Sequence, residues 1–277
     1  MGTEQPSFKQ VRKRIMAVPG DDFDLRDHPA RDETLFELKE DAVASAEADA
    51  FAIDELQDRL YAEGKRALLV VLQGMDTAGK SGTIKSVFRA TSPMGMTVKA
   101  FKKPSSSELA RDYLWRVHDA VPPKGFIGIF DRSHYEDVLV ARVRKLAPKD
   151  AIAERYEQIN AFEKLLVETG TTIVKCMLNV SKDEQAERLK ARLEKPHKRW
   201  KFNPGDLEDR ALWPDFMKAY EKAVERCSTT HAPWYIVPSD SKSRRNAIIA
   251  RLVRGALEDM NPQHPDPGYL PEDFEIS

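Results

Sequence analysis

Gly74, Gly79, Lys80 and Ser81 stand at the spacing G-x-x-x-x-G-K-[ST] within the segment G-M-D-T-A-G-K-S. Glycines at those two positions permit backbone angles and close approaches that a Cβ forbids. Successive N–H groups, those of Thr77, Ala78 and Gly79 included, can then turn inward around an anion. Lys80 adds a mobile positive charge for the outer phosphates of a nucleotide or polyphosphate, and Ser81 a hydroxyl for Mg²⁺. The plainer alternative is a strand-to-helix turn that binds nothing. The apolar run before the motif and the helical stretch Ser81–Ala90 after it favour a phosphate loop.

Asp76 sits inside this loop, where a carboxylate repels the phosphates the loop collects unless it binds a metal or positions a phosphate acceptor. An Asx turn that steadies the loop's own backbone is the simpler role. A second acidic position, Asp131, closes the apolar run F-I-G-I-F and is followed by R-S-H-Y-E-D. Apolar strands often end in Asp because it caps the next helix. Beside a phosphate loop, the same residue reads as a Walker B acid that holds Mg²⁺ directly or through water. Arg132 could offset charge on a transferring phosphoryl group. Glu136 and Asp137 either face a cation or acceptor hydroxyl, or simply favour a helix N-terminus. His134 fits a structural imidazole better than a phosphate contact.

A basic stretch lies further along. Ser181 opens a helix, Glu184 follows three residues later as in a capping box, and Arg188, Arg192 and Lys195 share one face. After Pro196, Lys198, Arg199 and Lys201 alternate with Trp200 and Phe202. This pattern predicts a lid over about 182–212 that closes on phosphates, although an ordinary solvated helix explains its first part. Lys99, Lys102 and Lys103 could lengthen a polyanion track or be scattered surface lysines.

Short apolar runs bounded by turn residues recur at Ala67–Leu72, Phe126–Phe130 and Thr171–Val180, with weaker ones at Met96–Phe101 and Trp234–Val237. Helical stretches separate them. Such alternation predicts an α/β fold with a five-stranded parallel sheet flanked by helices, and ligands at the carboxyl ends of the strands. Residues 1–34 are polar and without sustained periodicity, which predicts an extended arm. Residues 35–261 form the main domain, opened by a helix over Leu35–Ala62. Residues 262–277 are a tail whose four prolines end regular structure.

The chain has 277 residues, with 44 basic against 45 acidic side chains, so no overall field draws in nucleic acid. No apolar run is long enough to cross a bilayer, and the opening M-G-T-E-Q-P-S-F-K-Q lacks the core of a signal peptide. Two cysteines far apart in sequence, Cys176 and Cys227, fit reduced thiols in a cytoplasmic protein. The Leu35–Ala62 helix fits the core and a homo-oligomer interface equally well.

Taken together, V-V-L-Q-G-M-D-T-A-G-K-S-G-T-I-K, A-R-D-Y-L-W-R-V-H, D-R-S-H-Y-E-D-V, K-R-W-K-F and A-P-W-Y-I-V-P resemble the family-2 polyphosphate kinases. The resemblance runs from about Leu35 to about Asp259. It implies a thymidylate-kinase-like P-loop kinase fold with a helical lid. It also implies Mg²⁺-dependent, reversible transfer of a terminal phosphoryl group from inorganic polyphosphate to AMP, ADP or both, with ATP as a product. By position, Asp76 and Asp131 correspond to the metal- and phosphate-organising acids, Lys80 and Arg132 to the charge-stabilising bases, and Lys198 and Arg199 to lid contacts. The S-H-Y-E-D-V stretch is similar to the branch that phosphorylates AMP as well as ADP, which makes Glu136 the candidate specificity position. The alternatives are an ATP-dependent nucleotide kinase and a non-catalytic regulator that binds polyphosphate or nucleotide.

Overall fold

In the computed structural model, which describes residues 5–20, 22–270 and 274, five strands form one sheet. They are β1 (Ala67–Gln73), β2 (Met96–Ala100), β3 (Ile127–Asp131), β4 (Thr171–Asn179) and β5 (Trp234–Pro238), in the spatial order β2-β3-β1-β4-β5. Every neighbouring pair is parallel, as the alternation of apolar runs and helical stretches predicts. Central β1 lies between β3 and β4, and the chain crosses in opposite directions on leaving it. Its carboxyl end therefore opens into a crevice. The register pairs Leu72 with Asp131, so the loop after Gln73 begins beside the end of β3.

The period of two along β1 sorts its side chains between two cores. Leu68, Val70 and Leu72 join the larger cluster, while Leu69 and Val71 meet Phe130, Phe162 and Leu166. The helices Lys39–Glu63 and Lys242–Met260 pack on each other, and the buried residues Ala42, Ala50, Ile53 and Leu60 turn the first of them toward the core. That helix starts later than Leu35 because Arg244 fixes the preceding segment. Its Nε donates to the Phe36 carbonyl at 2.6 Å and its Nη2 to that of Glu37 at 2.5 Å.

The N-terminal segment is more structured than its composition predicts. Phe8–Ile15 is a helix opened by a reciprocal Ser7–Gln10 capping box. It buries Val11 and Ile15, each contributing about 1.5–3 kcal/mol. Met16 then bridges Tyr235 in antiparallel fashion, and the Ala17 N–H donates to the Trp234 carbonyl at 2.9 Å. Residues 1–4 and 21 of the expected arm, and 271–273 and 275–277 of the expected tail, lie outside the described residues. Among the described residues no helix is long and apolar enough to cross a membrane.

Candidate active site

The chain leaves β1 at Gln73 and turns through residues that only this backbone path explains. Gly74 has φ 152°, and a Cβ there would stand 2.8 Å from the Leu178 carbonyl oxygen. Gly79 has φ 113°, and its Cβ would fall 2.0 Å from Arg245 Nη1. Thr77, at φ 66°, adopts the left-handed conformation without being glycine, at a cost of about 1–2 kcal/mol. The helix Lys80–Val87 begins at once, with no acid in its first turn, so its unpaired N–H groups face the same space as the loop. Lys80 is buried; its Nζ donates to the Gly74 carbonyl at 2.7 Å and to that of Met75 at 3.4 Å. Burial, reinforced by the Arg132 charge, holds its ammonium below the ordinary lysine pKa. The Thr77 hydroxyl is buried and has no hydrogen-bond partner among the described residues.

Leaving β3, Arg132 also takes a left-handed conformation, φ 66°, while its N–H still donates to the Leu72 carbonyl at 3.0 Å. The sharp turn keeps Asp131 beside the loop, where its Oδ2 accepts from Ser81 Oγ at 3.1 Å. A carboxylate and a hydroxyl so close offer two hard oxygens to a small divalent cation. Among the described residues no group of three or more His, Cys, Asp or Glu side chains is placed to hold a metal ion by itself. A Mg²⁺ bound by one carboxylate, a hydroxyl and substrate phosphates needs no such group.

The Arg132 side chain crosses from β3 to the loop. Nη2 lies 2.5 Å from Asp76 Oδ1 and Nη1 3.0 Å from Glu136 Oε2, while Gln73 Nε2 donates to Glu136 Oε1 at 3.0 Å. Glu136 first, then Asp76, hold the guanidinium above even its ordinary pKa, against the opposing effect of burial. Asp76, expected beside Asp131 at a metal, is thus engaged by Arg132. Asp137 separates from Glu136: its carboxylate pairs with Arg155 at 3.7 Å, its carbonyl accepts from Arg155 Nη1 at 2.8 Å, and burial raises its pKa. His134 is buried against Glu163, in keeping with a structural imidazole.

The basic stretch forms the helix Lys182–Glu194, a 3-10 turn Pro196–Lys201 and the helix Gly205–Ala211. Only half of the expected capping box forms. Ser181 Oγ accepts from the Glu184 N–H at 3.2 Å, but the Ser181 N–H goes to Asp240 Oδ1 and the Glu184 carboxylate to Arg188 Nε at 2.7 Å. Arg188 corrects a second expectation. Its Nη1 donates to the Thr77 and Ala78 carbonyls, both at 3.0 Å, and its Nη2 to those of Ser239 and Asp240 at 2.7 and 3.0 Å. All five guanidinium donors are thereby engaged, so Arg188 grips the loop from its carbonyl side and has none left for phosphate. Lys198 is half-buried near Lys242, and Arg199 is exposed with Nε on the Leu193 carbonyl at 2.8 Å. Lys103 is exposed beyond β2.

Several site residues escaped the sequence. Arg245 donates to the Ala78 carbonyl at 2.9 Å from the other side of the loop, and burial, with Arg188 nearby, lowers its pKa to about 9. Arg192 pairs with Asp206 at 2.9 Å, and Arg144 with Asp209 at 2.6 Å. Burial, then the nearby Asp76, push Asp206 up to about 6. Asp76, Arg132, Glu136 and Asp209 line a narrow cleft together with Leu139, Val140, Phe216 and Tyr220.

The chain is similar to an AMP/ADP-polyphosphate phosphotransferase from Meiothermus ruber, 46% identical over 95% of this chain and 99% of the relative. An ADP-polyphosphate phosphotransferase from Rhodopseudomonas palustris is 36% identical over 94% of each. The crystal structure of polyphosphate kinase 2 from Arthrobacter aurescens superposes with a TM-score of 0.90 at 41% identity, covering 98% of this chain and 94% of that one. The family model for polyphosphate kinase 2 matches residues 37–265, a span that takes in the phosphate loop, the Asp131–Arg132 turn and the basic stretch together. The chain therefore belongs to the polyphosphate kinase 2 family, and is a phosphotransferase with a P-loop kinase fold.

Proposed function

We propose that this chain transfers the terminal phosphoryl group of inorganic polyphosphate to AMP and ADP, and runs in reverse from ATP. The observation that carries this is the bridging of two strand ends by Arg132, which joins Asp76 in the loop to Glu136 beside the cleft. In this reading the phosphate loop takes the donor chain, and the acceptor phosphate approaches from the Glu136 side of the guanidinium. The names of the relatives from M. ruber and R. palustris support both substrates.

In the transfer, a P–O bond to the terminal phosphorus of the donor breaks as one forms to an oxygen of the acceptor phosphate. The transition state is loose and anionic, so the protein contributes position and charge more than covalent chemistry. Mg²⁺, when bound, would neutralise phosphate charge; Ser81 and Asp131 would hold it. The N–H groups of Thr77 and Gly79 cradle the donor, while that of Ala78 closes the loop on the Met75 carbonyl at 3.0 Å, and Lys80 exchanges its two carbonyl partners for phosphate oxygens. Arg132 offsets charge on the moving group, and Asp76 and Glu136 fix its orientation. Lys198, Arg199 and Lys103 extend the track for a long polyanion, and the lid over 182–212 excludes water. Two buried free thiols, Cys176 and Cys227, fit a reducing cytoplasm.

The test is one incubation of the purified protein with AMP, Mg²⁺ and long-chain polyphosphate, with nucleotides separated by chromatography. ADP and then ATP are expected. Turnover of AMP with ATP as donor, indifferent to polyphosphate, would instead make it a nucleotide kinase; bound but unchanged AMP would make it a regulator.

A further inference from the structure

Under the turn that carries Glu136 lies a group of buried charges that does not line the cleft. Lys175 of β4 and Glu163 of the helix Lys149–Glu168 are fully buried, with Nζ 2.6 Å from Oε2. The Lys175 ammonium uses its three donors on Glu163 Oε2, the Tyr135 hydroxyl at 2.8 Å and the Cys227 carbonyl at 2.8 Å. Glu163 Oε1 accepts from the Tyr135 hydroxyl at 2.9 Å and lies 3.1 Å from His134 Nε2. Burial alone would raise the Glu163 pKa, but Lys175 and the His134 hydrogen bond more than offset it, so the carboxylate stays ionised and His134 carries its proton on Nε2.

Core stability does not account for this arrangement. Removing two charges from water costs several kcal/mol each, and an apolar pair of similar volume commonly holds a core as well or better. What an apolar pair lacks is direction. Both hydroxyl and imidazole belong to consecutive residues of the turn His134–Asp137, and Glu136 comes next. A four-residue 3-10 turn is weak in isolation, and this one follows the left-handed Arg132. It needs fixing from below if the Arg132–Glu136 pair is to keep one geometry.

We infer that Glu163 and Lys175 are positioning residues for the phosphoryl transfer, holding Tyr135 and His134 so that the turn aims Glu136 and Arg132 at the acceptor. The inference rests on the proposed acceptor-side role of Glu136 and Arg132. The phosphate loop is gripped separately, by Arg188 and Arg245. Disturbing the buried group should therefore affect the nucleotide side alone.

The experiment uses the full chain with Tyr135→Phe, Glu163→Gln and the double variant Glu163→Leu/Lys175→Met. Melting temperature, kcat, and KM for AMP and for polyphosphate are measured separately. The double variant strands the Tyr135 hydroxyl, His134 Nε2 and the Cys227 carbonyl, so it is expected to melt below the parent, while kcat falls at least about tenfold and polyphosphate KM stays within about twofold. If the double variant does not fold, Tyr135→Phe and Glu163→Gln carry the test, with the same split between the two substrates. A folded variant whose kcat and both KM values stay within about twofold of the parent overturns the inference, as does a parallel rise in polyphosphate KM. Glu136→Gln is the control: if that variant keeps full activity, the acceptor-side role itself fails, whatever the buried group does.

Discussion

Arg132 and Asp76 follow neighbouring strands, and the guanidinium of one lies 2.5 Å from the carboxylate of the other. The contact joins the phosphate loop to the turn after β3. It also neutralises a carboxylate that would otherwise repel phosphate.

Arg132→Ala should lower kcat by on the order of 10²–10³, the range found when a donor to a developing anion is removed. Arg132→Lys should recover only a small part, because a single ammonium cannot span Asp76 and Glu136 as a planar fork does. Steady-state kinetics with AMP and polyphosphate measure both, and full recovery by lysine would show that charge alone suffices.

The Ser81–Asp131 contact at 3.1 Å predicts a shared metal dependence. Ser81→Ala should raise the Mg²⁺ needed for half-maximal rate about tenfold, and Asp131→Asn should lower kcat on the order of a hundredfold. In the double variant the losses should be less than additive, since both act on one ion. Mg²⁺ titrations of the four proteins decide this; independent losses would place the cation elsewhere.

Arg188→Met should destabilise the fold by about 3 kcal/mol, because it strands the Thr77, Ser239 and Asp240 carbonyls and leaves that of Ala78 to Arg245 alone. Urea unfolding measures this. Arg188→Lys, with three donors against five, should fall between the two. A variant of unchanged stability but weakened polyphosphate binding would return Arg188 to the phosphate-contacting role that its place in the basic stretch suggested.

Asp206 gives a pH dependence of definite sign. Its folded pKa, about 6, lies above the unfolded value of 3.8, so the folded state holds the extra proton between those limits. The stability this contributes is complete below pH ~4 and is lost as pH rises through ~6. Asp206→Asn should therefore melt a few degrees above the parent at pH 8, and the gap should shrink toward pH 4. Thermal melts across that range test it; a constant gap would count against burial of the charge as the cause.

Much of the fold and part of the site were legible in the sequence, for local reasons. The strand of A-L-L-V-V-L, the loop glycines and Lys80 announce themselves because their causes lie within a dozen residues. The nearness of Asp131 to the loop was approached because parallel strands bring successive carboxyl ends together, but the Arg132–Asp76 pair was not, since Asp76 was expected at the metal. Arg245 was not legible, since nothing in S-K-S-R-R says that its side chain will reach the Ala78 carbonyl. Asp206 and Asp209 carry no signal in the sequence, because only folding sets them against Arg192 and Arg144. The Phe8–Ile15 helix was missed because eight residues with two buried positions leave too little periodicity to see. Glu184 shows the reverse, a local motif overridden when Arg188 takes its carboxylate.

The bridge between Met16 and Tyr235 has a consequence for solubility. A parallel sheet ends in two strands with unpaired backbone groups, and such rims recruit other chains into intermolecular ladders. On the β2 side exposed Lys99 discourages that pairing. On the β5 side Met16 and Ala17 occupy the rim themselves, anchored by the Phe8–Ile15 helix. The N-terminal segment thus works as a guard strand, shielding from aggregation a sheet whose chemistry happens at its other end.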